Sequence, residues 1–403
     1  MVINDEYNAL TPEDRAMNII RKCFKEERNG DLNARKRTIE DLKNFLVKTD
    51  DGSYTLNSNE CAGKSETMHT RHGALTESME KFVKPAYLVG KKEVNVLDVC
   101  SGLGYNAASC IDYLDSAKKI NIDMVEISLE TLAAALLIEN PIKSYEIIKE
   151  AIEGKLYQEK IIEFRFHKIT DERVNINILI EDARKIETEN KYDAIFLDAF
   201  SPAKCPELYS FEFFIKLRDL LKEDGVILTY TSAAPVRSAM VKAGFHVGEG
   251  PQFGRKSGGT VASKSFKNIK KQLSINDERM IALSDAGIPF RDFQMVDSSE
   301  KIMKRRENER KSARGFIKLA STVKTPLFLF SELEDSRLKR RVLRNLNKLG
   351  IDNLKSKEAA FITCPQFEEC ICDCGIGRLN NSKDRINEME KRLEIIIKKD
   401  YKF

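Results

Sequence analysis

The stretch VNVLDVCSGLGYN, residues 94–106, ends an apolar run on an acid, Asp98, and breaks into a turn holding Gly102 and Gly104. A strand feeding a glycine turn that opens a helix lets backbone approach a ligand closely and aims helix-start N–H groups at its polar end. The turn from Gly102 to Asn106, with Tyr105 inside it, therefore reads as a cradle for a nucleoside cofactor. About 20 residues downstream, INIDMVEIS ends a second apolar run on Glu126, where an acid accepts hydrogen bonds from a ribose diol. Two more runs supply two more acids. NINILIED (175–182) ends on Asp182, followed by Ala183, and YDAIFLDAFSP (192–202) places Asp198 just before Ser201 and Pro202.

In a doubly wound α/β sheet the carboxyl ends of successive strands line one crevice, so Glu126, Asp182 and Asp198 are expected to converge. Three acids around one pocket suit a ribose, an adenine amine and a sulfonium, and suit a pyrophosphate poorly. The residues thus point to a methyltransferase-type cofactor site, with Glu126 on the ribose, Asp182 near the adenine and Asp198 at the reacting end. The competing reading has some of these acids merely capping helices, a frequent role for Asp.

The elements that must position these residues follow from the surrounding pattern. Residues 1–45 read as charged helix, with Thr11, Pro12 and Glu13 as its start signal. Residues 46–85 read as a short extended segment and then the helix ALTESMEKFV, a lid before the first core strand. The core is expected over 86–268, a tail over 269–315 and a basic domain over 316–403. A charged, helix-like insertion at 139–166 is longer than a minimal crossover needs and carries no evident role.

Several motifs together resemble one family. TDDGSYTL (49–56), HTRHGALTES (69–78), the glycine turn, IEDARKI (180–186), YDAIFLDAFSPAKCPELY (192–209), TYTSAAPVRSAMVKAGFHV (229–247), FGRKSGGTVAS (253–263) and GIPFRDF (287–293) look like stand-alone relatives of a methyltransferase half. That half belongs to the bifunctional tRNA enzyme that makes 5-methylaminomethyl-uridine at the wobble position, and the similarity runs from about residue 45 to about 315. The resemblance implies a Rossmann-like class I methyltransferase sheet, here with a helical N-terminal segment and a small, Cys-containing C-terminal domain. It also implies that Gly102, Gly104, Glu126, Asp182 and Ala183 hold S-adenosyl-L-methionine, that Asp198 faces the amine to be methylated, and that tRNA is the partner. The bifunctional relatives usually read GFGTG where this chain reads CSGLG. No second GxGxxG follows a strand, so the flavin-dependent half is expected to be absent. An aminopropyl transferase resembling spermidine synthase and a non-catalytic RNA-binding protein on the same fold are the alternatives.

An aminomethyl group is mostly protonated at neutral pH, like other alkylamines, and an ammonium has no lone pair with which to attack. Asp198 can accept a hydrogen bond from the amine and orient it, and His72 is a candidate proton acceptor because histidine ordinarily titrates near pH 6.5.

Charge is unevenly spread. Residues 301–350 hold 15 Lys and Arg against 5 Asp and Glu, a net +10, whereas the whole chain carries +4. Basic helices neutralise phosphates and release counterions, so Lys304, Arg305, Arg306, Arg340 and Arg341, with Arg255 and Lys256, are the expected RNA-facing residues. A solvated helix face is the bland alternative. Beyond the family-like region, CPQFEECICDCG crowds Cys364, Cys370, Cys372 and Cys374 into eleven positions. Thiolates so close repel unless a cation gathers them. The spacing does not name zinc over an iron–sulfur cluster, and a redox pair or unliganded thiols stay open. The helix after it, SKDRINEMEKRLEIIIKK, is expected to pack against this domain. Nine scattered cysteines, no run of 18 apolar residues and a polar start, MVINDEYNALTPEDR, favour reduced thiols, no membrane span and a cytoplasmic protein.

Overall fold

The computed structural model describes residues 14–56, 72–254 and 258–400, so the helix start at Thr11–Glu13, and Arg255 and Lys256, lie outside the described residues. Among the described residues nine strands form in chain order: β1 Leu46–Lys48, β2 Tyr54–Leu56, β3 Glu93–Val99, β4 Lys119–Val125, β5 Val174–Leu179, β6 Tyr192–Leu197, β7 Leu221–Thr229, β8 His246–Glu249 and β9 Thr260–Ser263. β1 and β2 are an antiparallel hairpin; the other seven make one sheet ordered β5-β4-β3-β6-β7-β9-β8. The pairs β3–β4, β3–β6, β4–β5 and β6–β7 are all parallel. β6 is buried at every position, as a strand covered on both faces must be, and its YDAIFL run is correspondingly almost unbroken in apolar character.

Register makes the strand ends meet. Val99 pairs with Val125 and with Leu197, and Val125 pairs with Leu179, so four strands stop on one line. The next residues along, Cys100, Glu126 and Asp198, leave the sheet at the same level. The third strand stops three residues earlier than its sequence suggests: β5 ends at Leu179, and Asp182 belongs to the loop beyond. β5 lies at the sheet edge, where its alternate residues are exposed, so burial does not extend the strand.

The chain forms two compact units, residues 1–208, 219–230 and 250–261 in the first, and 209–218, 231–249 and 262–403 in the second. In the first unit the expected single N-terminal helix is two, Asp14–Arg28 and Ala34–Leu42. The break falls where Gly30 takes φ 96°, a left-handed conformation that glycine adopts without steric cost. Arg35 ties this pair to the core from a buried position, donating to Glu27 at 2.6 and 2.9 Å, to Glu153, and to the Phe164 carbonyl at 3.0 Å. In the second unit, helix Ser382–Lys398 packs on helix Ile275–Leu283, with buried Arg385 donating to both oxygens of Glu278 at 3.0 Å. Among the described residues no helix is long and apolar enough to cross a membrane.

Candidate active site

The two glycines of the turn are needed for different physical reasons. A Cβ on Gly104 would lie 2.6 Å from Ile148 Cγ2, so tight packing and φ 82° both demand glycine there. A Cβ on Gly102 would meet only the Cys100 carbonyl, at 3.9 Å. Gly102 therefore opens onto space that a ligand can fill. Cys100 itself holds φ 60°, a left-handed conformation costing a non-glycine residue on the order of 1–2 kcal/mol.

The 139–166 insertion supplies the support behind this turn. Its helix Tyr145–Gln158 buries Tyr145, Ile148, Ile152 and Leu156. The Tyr145 hydroxyl donates to the Leu103 carbonyl at 2.8 Å, and its ring stacks on Tyr105 at 5.5 Å. The apolar residues at helical spacing were the sequence signal for this role. Tyr105 in turn spends its hydroxyl on β2, donating to the Tyr54 carbonyl at 2.6 Å and accepting from the Tyr54 amide at 3.1 Å. Tyr105 thus anchors the hairpin by its hydroxyl. The Asp51 side chain caps the helix behind the hairpin, accepting from the Thr76 amide at 2.8 Å. Gly73 is compulsory beside it, since a Cβ would fall 1.9 Å from the Asp51 carboxyl carbon.

Three acids meet the turn, Asp182 lies in the loop beyond β5, and each is held differently. Glu126 accepts from the Gly102 amide at 3.0 Å and the Ser128 amide at 2.9 Å, locking the turn to the end of β4. Burial raises its pKa, and those amides together with that of Ile127 pull it back. Asp98 is fully buried; burial, and then the neighbouring Asp198 charge, push its carboxyl up to about 8. It is a neutral acid at pH 7. One side-chain amide joins the pair: Asn106 Nδ2 donates to Asp98 Oδ1 at 3.3 Å and to Asp198 Oδ2 at 3.1 Å. Asp182 caps the short turn Ala183–Lys185 by accepting from the Arg184 amide at 2.9 Å, and pairs with the Arg184 guanidinium at 2.8 Å. The capping reading therefore describes Asp182 in this structure, with Ala183 buried beside it. His72 is exposed and meets the Phe253 ring edge-on at 5.6 Å.

Three buried polar atoms of this turn, Asp98 Oδ2, Ser101 Oγ and Asn106 Oδ1, lack a hydrogen-bond partner. Buried polar groups left so are costly in a closed protein. Orphaned donors and acceptors beside an open glycine turn and a carboxylate fit a polar nucleoside such as S-adenosyl-L-methionine.

The basic residues divide into two groups within the second unit. On helix Ser299–Ala313, Arg305 donates to Asp297 at 2.6 Å and lies over Phe293, and half-buried Arg306 donates to the carbonyls of Ile288 at 2.6 Å and Ala286 at 2.9 Å. Those two arginines are tied to the 285–297 loop, whereas Lys304 is exposed. On helix Ser336–Asn347, Val342 and Leu346 point inward while Arg337, Lys339, Arg340, Arg341 and Arg344 are exposed. The four cysteines do converge, their sulfur atoms all within 4.8 Å of one another.

A family model described as S-adenosyl-L-methionine-dependent methyltransferase matches residues 145–265. An uncharacterized protein of Methanocaldococcus jannaschii is 37% identical over 306 residues, 75% of this chain and 83% of its own length. The tRNA 5-methylaminomethyl-2-thiouridine biosynthesis bifunctional protein MnmC of Ralstonia nicotianae is 38% identical over 93 residues, and this chain spans 14% of its length. The crystal structure of MnmC2 from Aquifex aeolicus matches 69% of this chain and 92% of its own, at 28% identity and a TM-score of 0.54. The chain belongs to the S-adenosyl-L-methionine-dependent methyltransferases related to the methyltransferase half of MnmC.

Proposed function

We propose that this methyltransferase N-methylates the aminomethyl group of a modified wobble uridine in tRNA. The observation carrying this reading is the placement of Asp198, which leaves β6 level with Glu126 and shares the Asn106 amide with the neutral acid Asp98. The related bifunctional proteins carry tRNA 5-methylaminomethyl-2-thiouridine biosynthesis in their names, which favours an aminomethyl acceptor.

When bound, S-adenosyl-L-methionine supplies an electrophilic methyl on its sulfonium. Gly102, Glu126 and the orphaned atoms of Asp98, Ser101 and Asn106 would hold it, and the loop of Asp182 and Ala183 would take its adenine end. Asn106 fixes the Asp198 carboxylate through Oδ2. That carboxylate accepts an N–H from the amine and aims its lone pair, and the spare proton leaves to water or to His72. Methyl transfer needs an in-line, near-contact approach, and most of its acceleration comes from such positioning.

The test separates binding from turnover. Asp198→Ala lowers turnover by about 10²- to 10⁴-fold with cofactor affinity nearly unchanged. Glu126→Ala weakens cofactor binding by about 1.5–3 kcal/mol, the range for hydrogen bonds to charged groups. Calorimetry and single-turnover assays read the two effects. Equal loss of affinity and turnover in Asp198→Ala would move that residue into the cofactor shell.

A further inference from the structure

The C-terminal cysteines are the most concentrated set of metal-ligating atoms outside the methyl-transfer site. Cys364 sits on the short turn Cys364–Gln366, and the other three lie in an irregular segment before helix Ser382–Lys398. The separations Cys364–Cys370, Cys370–Cys374 and Cys364–Cys374 are 3.7, 3.8 and 4.0 Å, and Cys372 lies within 4.8 Å of the rest. A disulfide needs sulfurs about 2.0 Å apart, so no pair here is one. Zn–S bonds of about 2.3 Å set tetrahedral sulfurs about 3.8 Å apart, and the three measured edges bracket that value. In an iron–sulfur cluster the cysteines are spread over several irons, so their sulfurs stand well beyond these separations.

The surroundings are built for thiolate charge. Arg392, fully buried on the last helix, turns its guanidinium toward the set, with nitrogens 3.9 Å from Cys372 Sγ and 3.6 Å from Cys374 Sγ. The same guanidinium is fixed by the Phe361 carbonyl at 2.8 Å, by Glu388 at 2.8 Å and by the face of the Phe361 ring. Four thiolates around a dication leave two negative charges, and a buried arginine offsets one. Outer partners of this kind orient ligands and tune a metal site.

We propose that Cys364, Cys370, Cys372 and Cys374 hold a single tetrahedral zinc ion. Cysteine is the sole protein ligand type, so the coordination sphere is closed and the ion is structural. It closes residues 364–374 on themselves, and Arg392 joins that segment to helix Ser382–Lys398. Each bound cysteine gives up its thiol proton, so loading is pH-dependent and releases protons. The proposal does not depend on which RNA is methylated.

Full-length protein purified without chelator or added metal, and analysed by mass spectrometry for metals, is expected to carry about one zinc per chain. Exchange into cobalt(II) gives the visible and thiolate charge-transfer bands of tetrahedral sulfur coordination. Cys372→Ser lowers zinc content and opens residues 364–381 to proteolysis, while affinity for S-adenosyl-L-methionine is unchanged. Because that variant can lose structure for other reasons, wild-type protein is also stripped with chelator and reloaded with zinc; protection of the same segment is lost and regained. Metal-free protein with a protected segment, an octahedral cobalt spectrum, or iron with inorganic sulfide would each overturn the assignment.

Discussion

The strand-end pocket and helix Ser336–Asn347 each gather like charges, and the chain handles them in opposite ways. In the pocket, Asp98, Glu126 and Asp182 are buried, and each is tied to nearby amide or guanidinium groups. Burial there, and then the Asp198 charge beside it, push the Asp98 carboxyl up to about 8. On the helix, five cations stand in solvent, and the apolar stripe of Val342 and Leu346 does the packing. Charge meant for chemistry is wired into backbone, whereas charge available to a polyanion is left hydrated. Helix Ser299–Ala313 shows the third possibility, arginines that resemble recognition residues and instead hold carbonyls of a loop.

The largest effect expected from breaking this contrast is on RNA. Reversing Arg340 and Arg341 together to Glu weakens tRNA binding by roughly a hundredfold near physiological salt, and reduces the slope of log affinity against log salt by about two. Unchanged slope, read by filter binding across a salt series, would make the helix a solvated face.

Arg306→Ala gives the opposite pattern. It removes a half-buried guanidinium that satisfies two carbonyls, so it costs about 1–3 kcal/mol of stability and leaves the salt slope intact. A lost salt slope with full stability would return Arg306 to the RNA surface.

A smaller effect sharpens the pocket side. The folded pKa of Asp98, about 8, lies above the ordinary aspartate value of about 3.9. Between those values the folded state binds a proton that the unfolded chain has released, so the contribution of Asp98 is full below about pH 4 and is lost as pH rises through about 8. The melting temperature of cofactor-free protein therefore falls between pH 6 and pH 9 through this group, and Asp98→Asn flattens the fall. An identical pH profile in the variant would show that Asp98 titrates normally.

What was legible in the sequence was what local pattern encodes. Apolar runs ending on Asp98, Glu126 and Asp198 gave three parallel strands and their shared edge, because a buried parallel strand needs an unbroken apolar run. Two features escaped for physical reasons. Asp182 follows an edge strand with alternating exposure, so the run did not mark where pairing stops. The two basic helices carry similar numbers of Lys and Arg, six and five, but turn them differently. The sign was present: Leu338, Val342 and Leu346 recur every four residues, while helix Ser299–Ala313 has no such stripe and must be held by its polar groups. Asn106 was read as part of the turn, but its bridge from Asp98 to Asp198 depends on a contact between Asn106 and Asp198, 92 residues apart in sequence, and could not be seen there.

Methylation of a wobble aminomethyl group is tested most directly on the nucleosides of tRNA incubated with the protein and methyl-labelled S-adenosyl-L-methionine. Mass spectrometry of a digest is expected to show label on the methylamino group of a wobble uridine, dependent on Asp198 and on tRNA that already carries the aminomethyl group. Label on a ring carbon, a ribose oxygen or a different nucleoside, or transfer undiminished in Asp198→Ala, would contradict it.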